Sequence, residues 1–192
     1  MPRIVLASAS PRRKDLLRQI GLEFEVIPAD IEEDAVRWRD PGELVRKLAL
    51  SKAEKVAASV RGALVVGADT VVLLDGEVLG KPRSREEARA MLGRLAGKEH
   101  QVFTGLAVVE TATGKRRVDH EETRVWMRPL GFDQIVAYVA SGEPLDKAGA
   151  YAVQGLGAVL VERLEGCYFN VVGLPVPRLA RMLEEFGVKV LG

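Results

Sequence analysis

The 192-residue chain is poor in the residues that build covalent and metal frameworks: it has one cysteine, one asparagine and two histidines. The lone Cys167 excludes an internal disulfide framework and a cysteine-ligated zinc site. No apolar run approaches the ~20 residues of a membrane-spanning helix. The opening MPRIVLASASPRR lacks a signal peptide's apolar stretch, because a proline and two arginines follow only a few apolar residues. Neither charge sign dominates: 28 basic and 27 acidic residues leave a net charge of +1. A dedicated nucleic-acid binder carries a strong basic excess, so that class is disfavoured, although a local basic pocket is allowed. The expectation is a soluble, cytoplasmic protein with no membrane or nucleic-acid partner.

What the chain does have is apolar residues, 47% of the total, enough for one domain with a sizeable core. The single domain is expected to span residues 1–192. Ile4–Leu6 reads as a buried strand. Ser10 then caps a helix with Pro11 in its first turn, and Gly21 ends it. Residues 24–27 read as a second strand. Asp40-Pro41-Gly42-Glu43 is a capping box that opens a helix to about Val60, and Ser84 with Glu87 is another. Residues 63–74 are an apolar run interrupted by Gly67-Ala68-Asp69-Thr70, and Asp75-Gly76 marks a hairpin. Two β-rich segments, 101–110 and 118–127, turn at Thr113-Gly114. A helix over 133–141, a glycine-rich segment 146–157, a strand over 158–161 and a last helix over 177–186 complete the chain. Strands alternating with helices, with hairpins inserted, predict an α/β fold: a mixed twisted sheet flanked by helices.

Several side chains are poorly explained by folding alone. Arg12 and Arg13 follow Ser10-Pro11 at a helix start, where the macrodipole disfavours cations. The helix N–H groups, both arginines, the small Ala7 and Ala9, and the hydroxyls of Ser8 and Ser10 together suit an anion such as phosphate. The plainer reading is two solvated arginines. The stretch is not a Walker A loop. Asp69 lies in a run that reads as buried, where an unpaired carboxylate costs several kcal/mol. A metal ion, a cation or a strand-end position would relieve that cost. Lys52 lies in helical line with Val45, Ala49 and Val56, so its ammonium must snorkel or meet an anion. Lys81, before Pro82, is unremarkable alone. The acidic run at 30–34 is either a solvated loop or a source of one carboxylate that joins Asp69 around a hard cation. His100 and His120 stand in no ligand spacing and read as surface residues. Cys167 reads as a small buried hydrophobe.

The stretches LASASPRRKDLLRQIG, ADIEE, LALSKA, GADTVVLLDGEVLGKP, GRLAGKEHQVFTGLAV, SGEPLDKAGAYAVQG and NVVGLPV run in order from residue 6 to residue 176. In these the chain resembles the Maf proteins, septum-formation-associated nucleotide pyrophosphatases. The resemblance implies a mixed α/β fold with a deep central cleft, related to the inosine triphosphate pyrophosphatases. It also implies hydrolysis of nucleoside triphosphates between the α and β phosphates, with Mg²⁺ or Mn²⁺ as cofactor. By the same resemblance Asp69 is the proton acceptor and Ser8, Arg12, Arg13, Lys52 and Lys81 bind phosphate. Glu33 is an acidic residue of the metal site, sharing the cation with Asp69. Arg12, Thr70 and Gln154 resemble the branch that acts on dTTP and UTP. The branch acting on 7-methyl-GTP has a tryptophan near the first position and glutamates at the other two. A glutamine amide offers a donor and an acceptor together, which matches the edge of uracil or thymine. The rivals are a pyrophosphatase for modified purine nucleotides such as 7-methyl-GTP or ITP, and a non-catalytic, nucleotide-sensing regulator of cell division. The resemblance further implies a homodimer, with a role in nucleotide-pool housekeeping or septum formation.

Overall fold

The computed structural model describes residues 2–31 and 38–192. Its strands are β1 (Arg3–Leu6), β2 (Glu25–Val26), β3 (Ala63–Leu74), β4 (Glu77–Leu79), β5 (Glu99–Glu110), β6 (Arg116–Met127) and β7 (Val161–Glu165). They form one seven-stranded sheet in the order β2-β1-β3-β5-β6-β7, with β4 pairing β3 off that path. β1 pairs β2 and β3 in parallel, with Val5 opposite Glu25 and Val65. The β3–β4 and β6–β7 pairs are antiparallel. The sheet is therefore mixed, as the alternating pattern predicts. The helices are α1 (Pro11–Gln19), α2 (Pro41–Ala57), α3 (Arg85–Leu95), α4 (Phe132–Ala140), α5 (Tyr168–Val172) and α6 (Val176–Glu184). Three short 3₁₀ turns, Glu143–Asp146, Ala148–Ala150 and Gly155–Val159, fill the glycine-rich segment.

Residues group into two compact units. One comprises Met1–Asp69, Thr104–Glu121 and Gly173–Gly192; the other comprises Thr70–Phe103 and Glu122–Val172. In the first, α2 lays Val45, Ala49, Ala53 and Val56 against the sheet, each almost fully buried. Two glycines make this approach possible. A Cβ on Gly67 of β3 would overlap the Ala49 carbonyl oxygen, and one on Gly105 of β5 would overlap that of Val45. Helix backbone thus rests directly on strand backbone. The core there includes Val5, Ala7, Val65 and Ala107. In the second unit, α3 and α4 bury Ala88, Met91, Leu92, Leu95, Ile135 and Val139 in a core with Val72, Val125 and Met127.

Local signals explain most boundaries. Asp40 Oδ1 accepts from Glu43 N at 2.8 Å, and Ser84 Oγ accepts from Glu87 N at 3.1 Å. Each glutamate reaches back one residue beyond the cap, Glu43 to Arg39 N and Glu87 to Arg83 N. α1 closes as Gly21 N donates to Arg18 O and Leu22 N to Leu17 O, with Gly21 at φ 72°. Asp75 and Gly76 have φ of 51° and 83°, the left-handed pair of a type I′ hairpin.

Five readings are corrected. Gly67–Thr70 does not interrupt the apolar run, since β3 is continuous from Ala63 to Leu74. Ser10 occupies the cap position of α1 but makes no side-chain capping bond. The strand placed over 158–161 begins only at Val161, because Leu160 N closes onto Gly157 O in a 3₁₀ turn. His100 is buried, 2% exposed, so it is not a surface residue, whereas His120 is half-buried. Cys167 in turn is half-buried rather than a core residue.

Candidate active site

The residues of the first unit converge on the stretch between β1 and α1. β1 ends at Leu6, and Ala7 N donates to Val66 O at 2.8 Å, so the loop 7–10 begins pinned beside β3. Ser8 is buried, and its hydroxyl accepts from Ser10 N at 3.3 Å. The first turn of α1 carries no acidic residue, and Arg12, Arg13 and Lys14 stand there instead. Nothing in the helix's own composition offsets the dipole's opposition to these cations.

Arg13 answers part of that puzzle. Its Nε donates to Gly173 O at 2.8 Å. Its Nη1 donates to Ala68 O at 2.9 Å and to Ser8 Oγ at 3.2 Å. The guanidinium thus holds the protein's own groups in a planar fork. The side chain ties the start of α1 to the residue preceding Asp69 and to the glycine of the NVVGLPV stretch. Arg12, one residue earlier, is half-buried on the same turn.

Asp69 is 7% exposed, inside β3 rather than at a strand end. Strand alternation puts it on the face of Val65 and Gly67, the face α2 covers. Lys52 of α2 donates from Nζ to Asp69 Oδ1, and the two side chains are only 13% and 10% exposed. Of the two fates open to Lys52, meeting an anion is the one realised. Truncating one member of such a pair costs about 3–5 kcal/mol, because the other charge is left buried alone.

The second unit holds the remaining candidates. Thr70 is half-buried, and alternation along β3 turns it to the other face from Asp69. Lys81 is exposed and follows Gly80, whose carbonyl accepts from Gly149 N at 3.0 Å. Gln154 is exposed, at the cap position of the Gly155–Val159 turn. Glu33 lies outside the described residues.

Two features of this unit escaped sequence reasoning. Glu143, inside the quoted SGEPLDKAGAYAVQG, gathers Tyr138, Leu156 and Gly157 around its carboxylate. Its signal was an acidic residue held just after a glycine at a helix end. His100 Nε2 hydrogen-bonds Tyr151 Oη at 2.6 Å. Burial pushes the His100 pKa down to about 4, while Glu99 pulls weakly the other way. Burial likewise holds Tyr151 protonated far above neutral pH.

Among the described residues, no group of three His, Cys, Asp or Glu side chains is placed to hold a metal ion. The hard oxygen donor on the α1–β3 side is the Asp69 carboxylate. That sparse set still fits Mg²⁺ or Mn²⁺, because such ions are commonly held by one or two carboxylates together with substrate phosphates.

Comparison with known proteins gives a consistent family. A family model described as Maf-like protein matches residues 3–186. A dTTP/UTP pyrophosphatase of Pelotomaculum thermopropionicum is 54% identical over 191 residues, spanning 100% of both chains. One of Desulforamulus reducens is 53% identical over 188 residues, 98% of each chain. Among solved structures, a HAM1 protein from Coxiella burnetii aligns with a TM-score of 0.52 at 18% identity, over 96% of this chain and 100% of that one. This last likeness is one of fold.

Proposed function

The chain belongs to the Maf-like protein family, and we propose that it is a nucleoside triphosphate pyrophosphatase that hydrolyses dTTP and UTP to the monophosphate and pyrophosphate. The observation that carries this reading is the buried Lys52–Asp69 pair beside a helix start loaded with arginine. A carboxylate inside a strand, with a cation on its oxygen, is costly as architecture and useful as a base. Relatives more than 50% identical over nearly their whole length bear the name dTTP/UTP pyrophosphatase.

In the proposed reaction Asp69 orients a water and accepts its proton as the oxygen attacks the α-phosphorus. The α–β bridging bond breaks, and pyrophosphate leaves with the bridging oxygen. Arg12, Lys52, Lys81 and the N–H groups of α1 hold the triphosphate, aided by the Ser8 hydroxyl. Arg13 fixes the loop beside them. Asp69 and Glu33, together with substrate phosphates, would hold a divalent cation, which when bound would neutralise charge developing on the phosphate oxygens. Thr70 and Gln154 read the base, the glutamine amide pairing with the donor and acceptor of a uracil or thymine edge.

We further propose a cytoplasmic homodimer engaged in nucleotide-pool housekeeping, with a link to septum formation. No helix of the described residues is long and apolar enough to cross a membrane. The test of function is pyrophosphate release from UTP, dTTP, 7-methyl-GTP and ITP, with and without Mg²⁺. Preference for 7-methyl-GTP or ITP would replace the pyrimidine reading, and binding without pyrophosphate release would replace catalysis by sensing. Light scattering of the purified protein tests the dimer.

A further inference from the structure

Glu143 opens a 3₁₀ turn immediately after Gly142, and its own backbone N–H is fixed by Ser141 Oγ at 3.2 Å. Its side chain reaches a segment 13 residues further along. Oε2 accepts from Leu156 N at 2.9 Å, and Oε1 accepts from Gly157 N at 2.9 Å. Tyr138 Oη donates to Oε1 at 2.8 Å and accepts from Ala152 N at 3.2 Å. One carboxylate and one phenol therefore hold both flanks of the stretch 152–157, with Gln154 between them.

The packing leaves this stretch little choice of position. Gly155 has φ 61°, and a Cβ there would lie 2.5 Å from Glu143 Oε2. A Cβ on Gly157 would overlap the Ala152 carbonyl oxygen and lie 2.7 Å from Tyr138 Oη. The carboxylate caps the turn from outside, accepting the first N–H groups that a helical turn leaves unsatisfied. A charged acceptor with two backbone donors and a phenol is stronger than a neutral serine or asparagine cap. It fixes the backbone on which the exposed Gln154 side chain stands.

Resting on the proposed dTTP/UTP activity, we infer that Glu143, supported by Tyr138, is a positioning residue for base selection: it fixes the turn from which Gln154 reads the pyrimidine edge. Glu143 touches neither phosphate nor base. It acts by keeping the Gln154 amide in register.

The test compares kcat and KM for UTP and ITP in the wild type, Gln154→Ala, Glu143→Ala, Glu143→Gln and the Glu143→Ala/Gln154→Ala double variant. Glu143→Ala should cut the UTP-over-ITP preference in kcat/KM by about tenfold, chiefly through the KM for UTP. Glu143→Gln should lose less, because its amide oxygen still accepts. The double variant should match Gln154→Ala alone, since the latch has nothing left to position. Equal losses on UTP and ITP, as from general loosening, would overturn the inference, and so would additive effects in the double variant. Where Glu143→Ala fails to fold, Glu143→Gln and Tyr138→Phe replace it, and an unchanged preference in both is equally fatal. A wild type that does not turn over UTP overturns the proposed function itself, and the inference with it, before any variant is compared.

Discussion

The buried His100 makes the stability of the Thr70–Phe103, Glu122–Val172 unit depend on pH in a specific window. Its imidazole has an ordinary pKa of 6.5, lowered to about 4 by burial. Its Nε2 meets Tyr151 Oη, and its Nδ1 has no hydrogen-bond partner among the described residues. Protonation would therefore bury both a charge and a donor without an acceptor. Between pH 6.5 and pH 4 the unfolded chain binds this proton and the folded chain does not. Stability is thus fully present above pH 6.5 and falls as the pH drops toward 4. At about 1.4 kcal/mol per pH unit, the gap of 6.5 − 4 amounts to about 3 kcal/mol. For a chain of this size that is roughly 10 °C in Tm. His100→Gln removes the titration while leaving an amide able to bond Tyr151. Urea unfolding of both proteins at pH 7, 6, 5 and 4 gives the difference, which cancels the carboxylates common to both. The wild type should lose about 3 kcal/mol more than His100→Gln across the series. Parallel curves would refute the argument, because they would mean that His100 titrates alike in the folded and unfolded states.

Other consequences follow from the α1–β3 region. Asp69→Asn should reduce turnover of UTP by about 10²–10⁴ if the carboxylate is the base; steady-state pyrophosphate release measures it, and near wild-type kcat would remove the assignment. Arg13→Lys cannot reproduce a fork that serves Gly173, Ala68 and Ser8 together. It should lower both Tm and kcat, measured by differential scanning fluorimetry beside kinetics, whereas Arg12→Ala should raise KM and lower kcat for UTP. Gly67→Ala inserts a methyl between β3 and the Ala49 carbonyl of α2. It should cost about 1–3 kcal/mol in urea unfolding and lower kcat, because α2 carries Lys52.

The parts of the fold that were readable in the sequence are those whose cause is local. Asp40 with Glu43, Ser84 with Glu87, and Asp75-Gly76 each specify a boundary through side chains within four residues of it, and each holds. The failures have causes distant in sequence. Gly67-Ala68-Asp69 has weak strand propensity, but β3 runs through it because α2 needs the missing Cβ of Gly67 to dock. His100 stands at a strand start, between the polar Glu99 and Gln101, yet faces Tyr151, 51 residues away. For the candidate site, Lys52 in an apolar helical row was a legible anomaly, and its partner Asp69 was legible separately. Their pairing was not, because spacing in one helix says nothing of register against a strand. Arg13's commitment to two carbonyls was invisible, since backbone acceptors leave no mark on residue identity.

The Lys52–Asp69 pair and the Gly67 contact are one device. An α-helix packed on a sheet through ordinary side chains stands about 10 Å away, so a lysine over the interface can extend toward solvent. Glycine at Gly67 and Gly105 removes that spacer and brings the α2 backbone onto β3 and β5. Lys52 then lies close above a strand whose inward-facing residue two places on from Gly67 is Asp69. Buried pairs of this kind are weak contributors to stability, since replacing both partners by apolar groups is often neutral. A sequence under pressure only to fold has no need of two glycines that force a buried charge pair together. On the proposed function the arrangement has a use: a base aligned by its neighbour before substrate arrives, with a cation within reach of any phosphate that approaches the same carboxylate. The expected signature is divergence of two measurements on Lys52→Met/Asp69→Leu, with stability largely restored relative to either single variant and turnover lost.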